Sequence, residues 1–248
     1  MTHHAVLGAH GEVGSALVDL LSTPDVNRVD VIDLGTSPPS QILSTVQYLH
    51  VAIGYTPGFD AVVTRWHEMS PAAIVVVHST VKPGTCARNG WVFSPVTGRH
   101  PDLVESLRVF TKPVAGDNPE HVELTVAALR RAGIPATTAT GTVTETEAAK
   151  LVDLAVYGVN IRFEKEVERY CRTHDLDFTE VFVRPTLRYN QGYADIGHHR
   201  FQRYGLLHQS GPVGGHCVGY PNLSLLGDER IEALIAPITK EEWDDALD

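Results

Sequence analysis

The opening of the chain constrains its fold more than any other stretch. Residues 4–8 (His-Ala-Val-Leu-Gly) read as a short buried strand, and Gly8-Ala-His-Gly11-Glu-Val-Gly14 leads from it into a helical stretch through Leu21. Glycines between strand and helix permit a tight turn, close approach of the backbone to an anion, and close packing of helix on strand. The helix N-terminus behind them offers unpaired N–H groups and the positive end of the helix dipole, which suits a pyrophosphate. A second strand, Val29–Asp33, ends in an acid nineteen residues past Gly14. A carboxylate there accepts hydrogen bonds from a ribose hydroxyl and repels a 2′-phosphate, so the pattern predicts NAD rather than NADP. Gly8, Gly11, Glu12, Val13, Gly14 and Asp33 form the expected cofactor set, joined by Thr56 and Ser79 farther along.

Further strands are expected at 48–54, 74–78, 90–94 and 109–115, with helical patterns between several of them, notably at 59–67. Such alternation indicates a parallel sheet covered on both faces. Asn118 suits an N-cap, Pro119 the first helical position and Gly133 the stop, which predicts a helix over 119–132. A last strand near 135–140 is expected to close the sheet. From Thr144 the period changes. Thr144-Glu-Thr-Glu147 has capping-box spacing, and apolar residues then recur at helical spacing to about Thr173. A second helix starts near Asp177 and runs at least to the Pro185 region, and periodicity returns at 228–238. The expected fold class is α/β: a Rossmann-type doubly wound parallel sheet binding NAD (residues 1–142), followed by a smaller helical domain with one long helix for substrate binding and dimerisation (143–248).

The formal net charge is −10 with no basic stripe, which argues against nucleic acid as a partner. Part of the acid excess is the tail Glu241-Glu-Trp-Asp-Asp245, read as a solvated helix end. Cys86, Cys171 and Cys217 are odd in number and far apart, so they form neither a disulfide framework nor a CxxC metal pair. No signal-peptide pattern or spanning apolar run is present, so no membrane partner and a cytoplasmic setting are expected. His198, His199, His208 and His216 match no standard metal spacing, and no metal is expected.

The run Gly211-Pro-Val-Gly-Gly-His-Cys217 places a lone thiol after a glycine-rich turn. A thiol serves as nucleophile only as the thiolate, which a neighbouring cation favours. Four elements occur in order: the opening turn, His78-Ser-Thr80-Val-Lys-Pro-Gly84-Thr85, the Glu147-Ala-Ala-Lys150-Leu helix and Gly214-Gly-His-Cys217. Together they resemble the nucleotide-sugar dehydrogenases, the UDP-glucose, UDP-N-acetylmannosamine and GDP-mannose dehydrogenase group, over about residues 4–225. The resemblance implies two NAD-dependent oxidations of a sugar alcohol through a thiohemiacetal and thioester on Cys217. It also implies that Lys150 stabilises an oxyanion or assists proton transfer, and that Thr80 lies near the reacting water. In related folds the long helix packs against its twin, which implies a homodimer. The chain is shortened relative to the family and is expected to lack its C-terminal UDP-sugar-binding domain.

Other positions depart from the family pattern. Leu154 stands one helical turn after Lys150, where the family has a substrate-orienting Asn. Ser94-Pro-Val-Thr-Gly98-Arg-His100 replaces a Pro-Glu segment with catalytic glutamates, and Tyr220-Pro-Asn222 replaces an acid after the cysteine. Arg99 and His100 are candidates for binding an anionic small-molecule substrate at the strand mouth, with Tyr157, Gly215 and His216 as further substrate contacts. Three readings follow: a dehydrogenase using Cys217 covalently, a simpler hydroxy-acid-type dehydrogenase or reductase using Lys150 alone, or a cofactor-fold protein with another activity in the same cleft.

Overall fold

The computed structural model describes residues 2–22, 27–33, 44–98, 102–205 and 220–235. The chain divides into two compact units, Met1–Lys150 and Leu151–Asp248.

The first unit is built on five parallel strands in the order β2-β1-β3-β4-β5: β1 Thr2–Leu7, β2 Asn27–Ile32, β3 Tyr48–Val51, β4 Ile74–Val77 and β5 Val92–Phe93. The central strands are nearly continuous runs of buried residues, as strands covered on both faces require. β1 pairs with β2 on one side and β3 on the other, with His4 opposite both Val29 and Tyr48. The strand order therefore reverses at β1, and the crevice between the C-terminal ends of β1 and β3 is where such sheets bind ligands.

One layer packs α1 (Glu12–Leu21), α4 (Leu103–Val109) and α5 (Pro119–Arg131) on the sheet. Leu17, Leu21, Leu107 and Leu129 are fully buried against Val6, Val76 and Val92. The opposite layer packs α2 (Phe59–Glu68) and α3 (Thr85–Asn89), with Phe59, Val63, Cys86 and Trp91 over Ala5, Leu49, Val51 and Val77. Each such apolar side chain contributes about 1.5–3 kcal/mol on burial. Asn118 caps α5 through its side chain, accepting from the Glu120 and His121 N–H groups, with Pro119 in the first turn.

The last expected strand does not close the sheet. β6 (Lys112–Val114) and β7 (Ala136–Thr138) form a separate parallel pair, joined to β5 by one antiparallel bridge, Phe93 with Ala115. Pro95 follows the two-residue β5, and Pro113 sits within β6. Prolines donate no ladder bond, so the main sheet ends there. α3 and α4 were absent from the sequence expectation because five to seven residues carry little periodicity.

The long helix, α6 (Val143–Thr173), has 31 residues. Its capping box lies two residues earlier than the spacing at Thr144 predicts. Thr142 Oγ1 accepts from Glu145 N at 3.2 Å, and Glu145 Oε2 accepts from Thr142 N at 2.6 Å. Glu145 is thereby occupied at the helix end, and Glu147 is used elsewhere. In the second unit a π-helical turn, Thr179–Val183, runs directly into α7 (Arg184–Asp195), with Pro185 in the first turn of that helix. A short helix α8 (Tyr220–Leu223) and α9 (Glu229–Ile235) follow.

Candidate active site

The glycine turn is held to the sheet by backbone bonds: Gly8 N donates to Ile32 O at 2.8 Å, and Gly11 N to Gly8 O at 3.1 Å. Gly8 has φ +85, and a Cβ placed there would lie 2.6 Å from Ala52 O, on the segment after β3. A Cβ on Gly14 would lie 1.9 Å from Gly8 O. Both positions are closed to any side chain, and the turn sits at the β1/β3 crevice. Gly11 is the N-cap of α1 and supplies no side-chain cap. The first turn of α1 thus points its N–H groups and the positive end of the helix dipole toward the crevice side of the turn, the arrangement that suits an anion.

Asp33 directly follows β2, beside the turn. Its Oδ2 accepts from His10 N at 2.6 Å, and the His10 ring nitrogen Nδ1 lies 3.7 Å from the same oxygen. The acid is thus fixed against the turn by a charge-assisted bond from His10, the residue before Gly11. Glu12 and Val13 form the first turn of α1. Ser79, just beyond β4, donates its hydroxyl to Val51 O at 3.4 Å and so stands next to the end of β3. Thr56 is exposed, and its carbonyl accepts from Phe59 N at 2.9 Å at the start of α2. The chemistry of this donor set fits a dinucleotide: backbone N–H groups for a pyrophosphate, a fixed carboxylate for ribose, and no Cβ in the way.

Thr80 is half-buried on the segment after β4, and Lys150 is half-buried in the first two turns of α6. Glu147 connects those segments. It is fully buried, and its carboxylate accepts from Gly84 N at 2.6 Å and Cys86 N at 2.7 Å. Burial, with this carboxylate beside it, pushes the Cys86 thiol far above its ordinary value, so the thiol stays protonated and unreactive. Lys112 is buried as well, its Nζ donating to Ser94 O at 2.7 Å and Pro95 O at 2.6 Å. Burial first, then the nearby Lys150 cation, pushes its pKa well down.

A hydrogen-bonded histidine column runs through the first core layer. His4 Nδ1 lies 3.0 Å from His50 Nε2, His50 Nδ1 2.9 Å from His78 Nε2, and His78 Nδ1 2.9 Å from Ser94 O. The rings stack at centroid separations of 5.2 Å, and Tyr48 stacks on His4 at 5.1 Å. The carbonyl can only accept, so His78 Nδ1 donates, and the same polarity propagates to His50 and His4. Burial lowers all three rings: His4 to about 4, with partial opposition from Asn27, and His50 and His78 well below their ordinary value. The sequence shows His78 only as the residue before Ser79–Thr80 and gives no functional role to His4 or His50.

The remaining site expectations fall differently. Tyr157 lies in the second unit on α6 and is 41% exposed. Leu154 is buried there. Arg99, His100, Gly215, His216 and Cys217 lie outside the described residues. Within the second unit a cavity of about 520 Å³ is lined by Asn160, Phe163, Phe182, Tyr189, Arg203 and Tyr204, among others, with the Arg203 guanidinium 3.6 Å from the centre of the Tyr189 ring. Among the described residues, no three His, Cys, Asp or Glu side chains are grouped to hold a metal ion, and no helix is long and apolar enough to cross a membrane.

No family model and no curated protein matches the sequence. Solved structures do share the fold. The chain is similar to UDP-D-ManNAc dehydrogenase from Pyrococcus horikoshii at 13% identity and TM-score 0.65, covering 96% of this chain and 68% of that one. It is similar to Mycobacterium tuberculosis 3-hydroxyisobutyrate dehydrogenase, solved with L-serine, at 14% identity and TM-score 0.58, covering 96% and 84%. A third, Psf3 in complex with NADP+ and 2-OPP, has 18% identity and TM-score 0.52 over 78% of this chain and 79% of that one.

Proposed function

We propose that this fold serves an NAD-dependent oxidoreductase of the nucleotide-sugar dehydrogenase type, oxidising an alcohol or aldehyde of a sugar-like substrate. The glycine turn carries the reading. The α1 N-terminus, which Gly11 caps with no side chain, follows the same turn whose His10 N clamps the Asp33 carboxylate, at a crevice where Gly8 and Gly14 admit no side chain. Bound there, the nicotinamide ring supplies the hydride acceptor. The residues of the chain hold the dinucleotide: amides of residues 11–14 on the pyrophosphate, Asp33 on the adenosine ribose, and Ser79 and Thr56 on the far side of the crevice. Lys150, with Thr80, polarises the substrate oxygen, because an ammonium favours a developing alkoxide. Residues 1–142 form the cofactor domain, and residues 143–248 the substrate and dimerisation domain.

Fold similarity to proteins titled UDP-D-ManNAc dehydrogenase and 3-hydroxyisobutyrate dehydrogenase supports the oxidoreductase class, and the NADP+ complex supports a nicotinamide dinucleotide. Asp33 is the reason to favour NAD. A homodimer is supported by α6: Val152, Val156, Val159, Phe163 and Tyr170 are exposed at spacings of four, three, four and seven, the seam of a helix paired with its twin. One observation favours a second reading, a cofactor fold carrying another activity in the same cleft: Leu154, buried, offers no hydrogen bond where the resemblance places a substrate-orienting Asn.

Titration with NADH, followed by nicotinamide fluorescence, tests the cofactor assignment. Binding that weakens at least about tenfold in Asp33→Ala, the loss of a charge-assisted pair, supports it, and no binding overturns it. NAD+ reduction with UDP-glucose, UDP-N-acetylmannosamine and 3-hydroxyisobutyrate then separates the substrate classes. Cys217→Ala abolishes the second oxidation only if the mechanism is covalent.

A further inference from the structure

Glu147 belongs to no part of the cofactor set, yet it is the fully buried acid of the first unit that joins two candidate segments. Lys82, Pro83, Gly84 and Thr85 make a tight turn. Thr85 N donates to Lys82 O at 3.1 Å, Pro83 takes the second position, and Gly84 has φ +88 and ψ 0, the type II geometry that requires φ > 0. Thr85 Oγ1 donates to the same carbonyl at 2.6 Å. Glu147 Oε2 takes Gly84 N, and Oε1 takes Cys86 N. One carboxylate thus fixes both sides of the turn that ends the Ser79–Thr80 segment. On α6, Lys150 follows Glu147 at i+3, on the same face. Helix and segment are therefore registered on each other by this carboxylate, beside the packing of Val143 in one core cluster with Val81 and Cys86.

We infer that Glu147 is a positioning residue for the nicotinamide half of the cofactor site, an inference that rests on the reading above. The glycine turn takes the pyrophosphate and Asp33 the adenosine ribose, so the nicotinamide lies across the crevice, toward the ends of β3 and β4. Ser79 and Thr80 stand at the end of β4, and the backbone that carries them is anchored by Glu147. The adenosine half touches neither Glu147 nor the turn it holds. Glu147 therefore separates the two halves: it shapes one and leaves the other alone.

The test compares NADH with ADP-ribose, which lacks the nicotinamide, on the full chain. In Glu147→Gln, one acceptor oxygen becomes an N–H₂ facing a backbone N–H, and the turn loses an anchor. NADH affinity is expected to fall at least about fivefold, while ADP-ribose affinity stays within about twofold, since one lost hydrogen bond to a charged acceptor has that scale. Glu147→Asp, which keeps both acceptors on a shorter arm, recovers part of the NADH affinity without changing ADP-ribose. Equal weakening of both ligands, or of neither, overturns the inference and leaves Glu147 a structural acid. If neither ligand binds the unaltered protein, the cofactor reading itself falls, and the inference with it. Should Glu147→Gln not fold, Glu147→Asp, whose shorter arm lengthens both anchors, is read alone by the same two titrations and the same outcomes.

Discussion

Acidification is the perturbation that most directly tests the histidine column. His4, His50 and His78 are neutral in the fold because they are buried and stacked at bonding distance, where a second charge has no solvent. In the unfolded chain each titrates near 6.5. The folded values are lowered, so the unfolded state binds more protons below 6.5, and stability falls as pH falls through that value. For His4 the loss stops growing only near its folded value of about 4. At pH 5 each unfolded ring is about 1.5 units below its titration point, which corresponds to about 2 kcal/mol per ring and about 6 kcal/mol for three. A domain is stable by only about 5–15 kcal/mol in total, so a loss of this size brings it close to unfolding. Urea unfolding between pH 7.5 and 5, with ring resonances followed by NMR, measures both the loss and its source. The column predicts a falling urea midpoint while none of the three rings titrates in the folded state above pH 5. A ring in the folded protein titrating near 6.5 refutes the reasoning, as does a flat midpoint.

Other expectations are more local. Gly14→Ala puts a Cβ onto Gly8 O and costs about 1–3 kcal/mol of overpacking, read as a lower melting temperature together with lost NADH binding; an unchanged NADH affinity would mean that the turn does not touch the cofactor. Asn118→Ala removes the cap of α5 and lowers urea stability by about 1 kcal/mol. Cys86 resists iodoacetamide at pH 8 in the folded protein and reacts after unfolding, because burial and Glu147 hold its thiol protonated; rapid labelling of the folded protein at Cys86 contradicts that environment. Phe163→Glu with Val156→Asp, both at exposed seam positions, converts a dimer to a monomer in sedimentation if α6 pairs with its twin.

The sheet was legible because parallel strands covered on both faces are continuous apolar runs, and because a glycine turn and its acid act within a short stretch of chain. Long-range use of polar residues was not. His4, His50 and His78 lie 46 and 28 residues apart, and only the register of β1, β3 and β4 stacks them into a column. Glu147 was misread because Thr144 and Glu147 have the same spacing as Thr142 and Glu145, and spacing alone does not say which acid caps the helix. The weak signal was redundancy: two acids at capping distance leave one for another use. Lys112 carried no pattern at all, since its partners are backbone carbonyls. Thr80 and Lys150 were given roles from a resemblance, and the link between their segments passes through Glu147, which belongs to the same motif but received no role from it.

A crystal structure grown with NADH tests the central claim most directly. The account predicts the pyrophosphate against the first turn of α1, the adenosine ribose on Asp33 and the nicotinamide over Ser79 and Thr80. NADH bound away from the glycine turn, or with its adenosine ribose distant from Asp33, would contradict it.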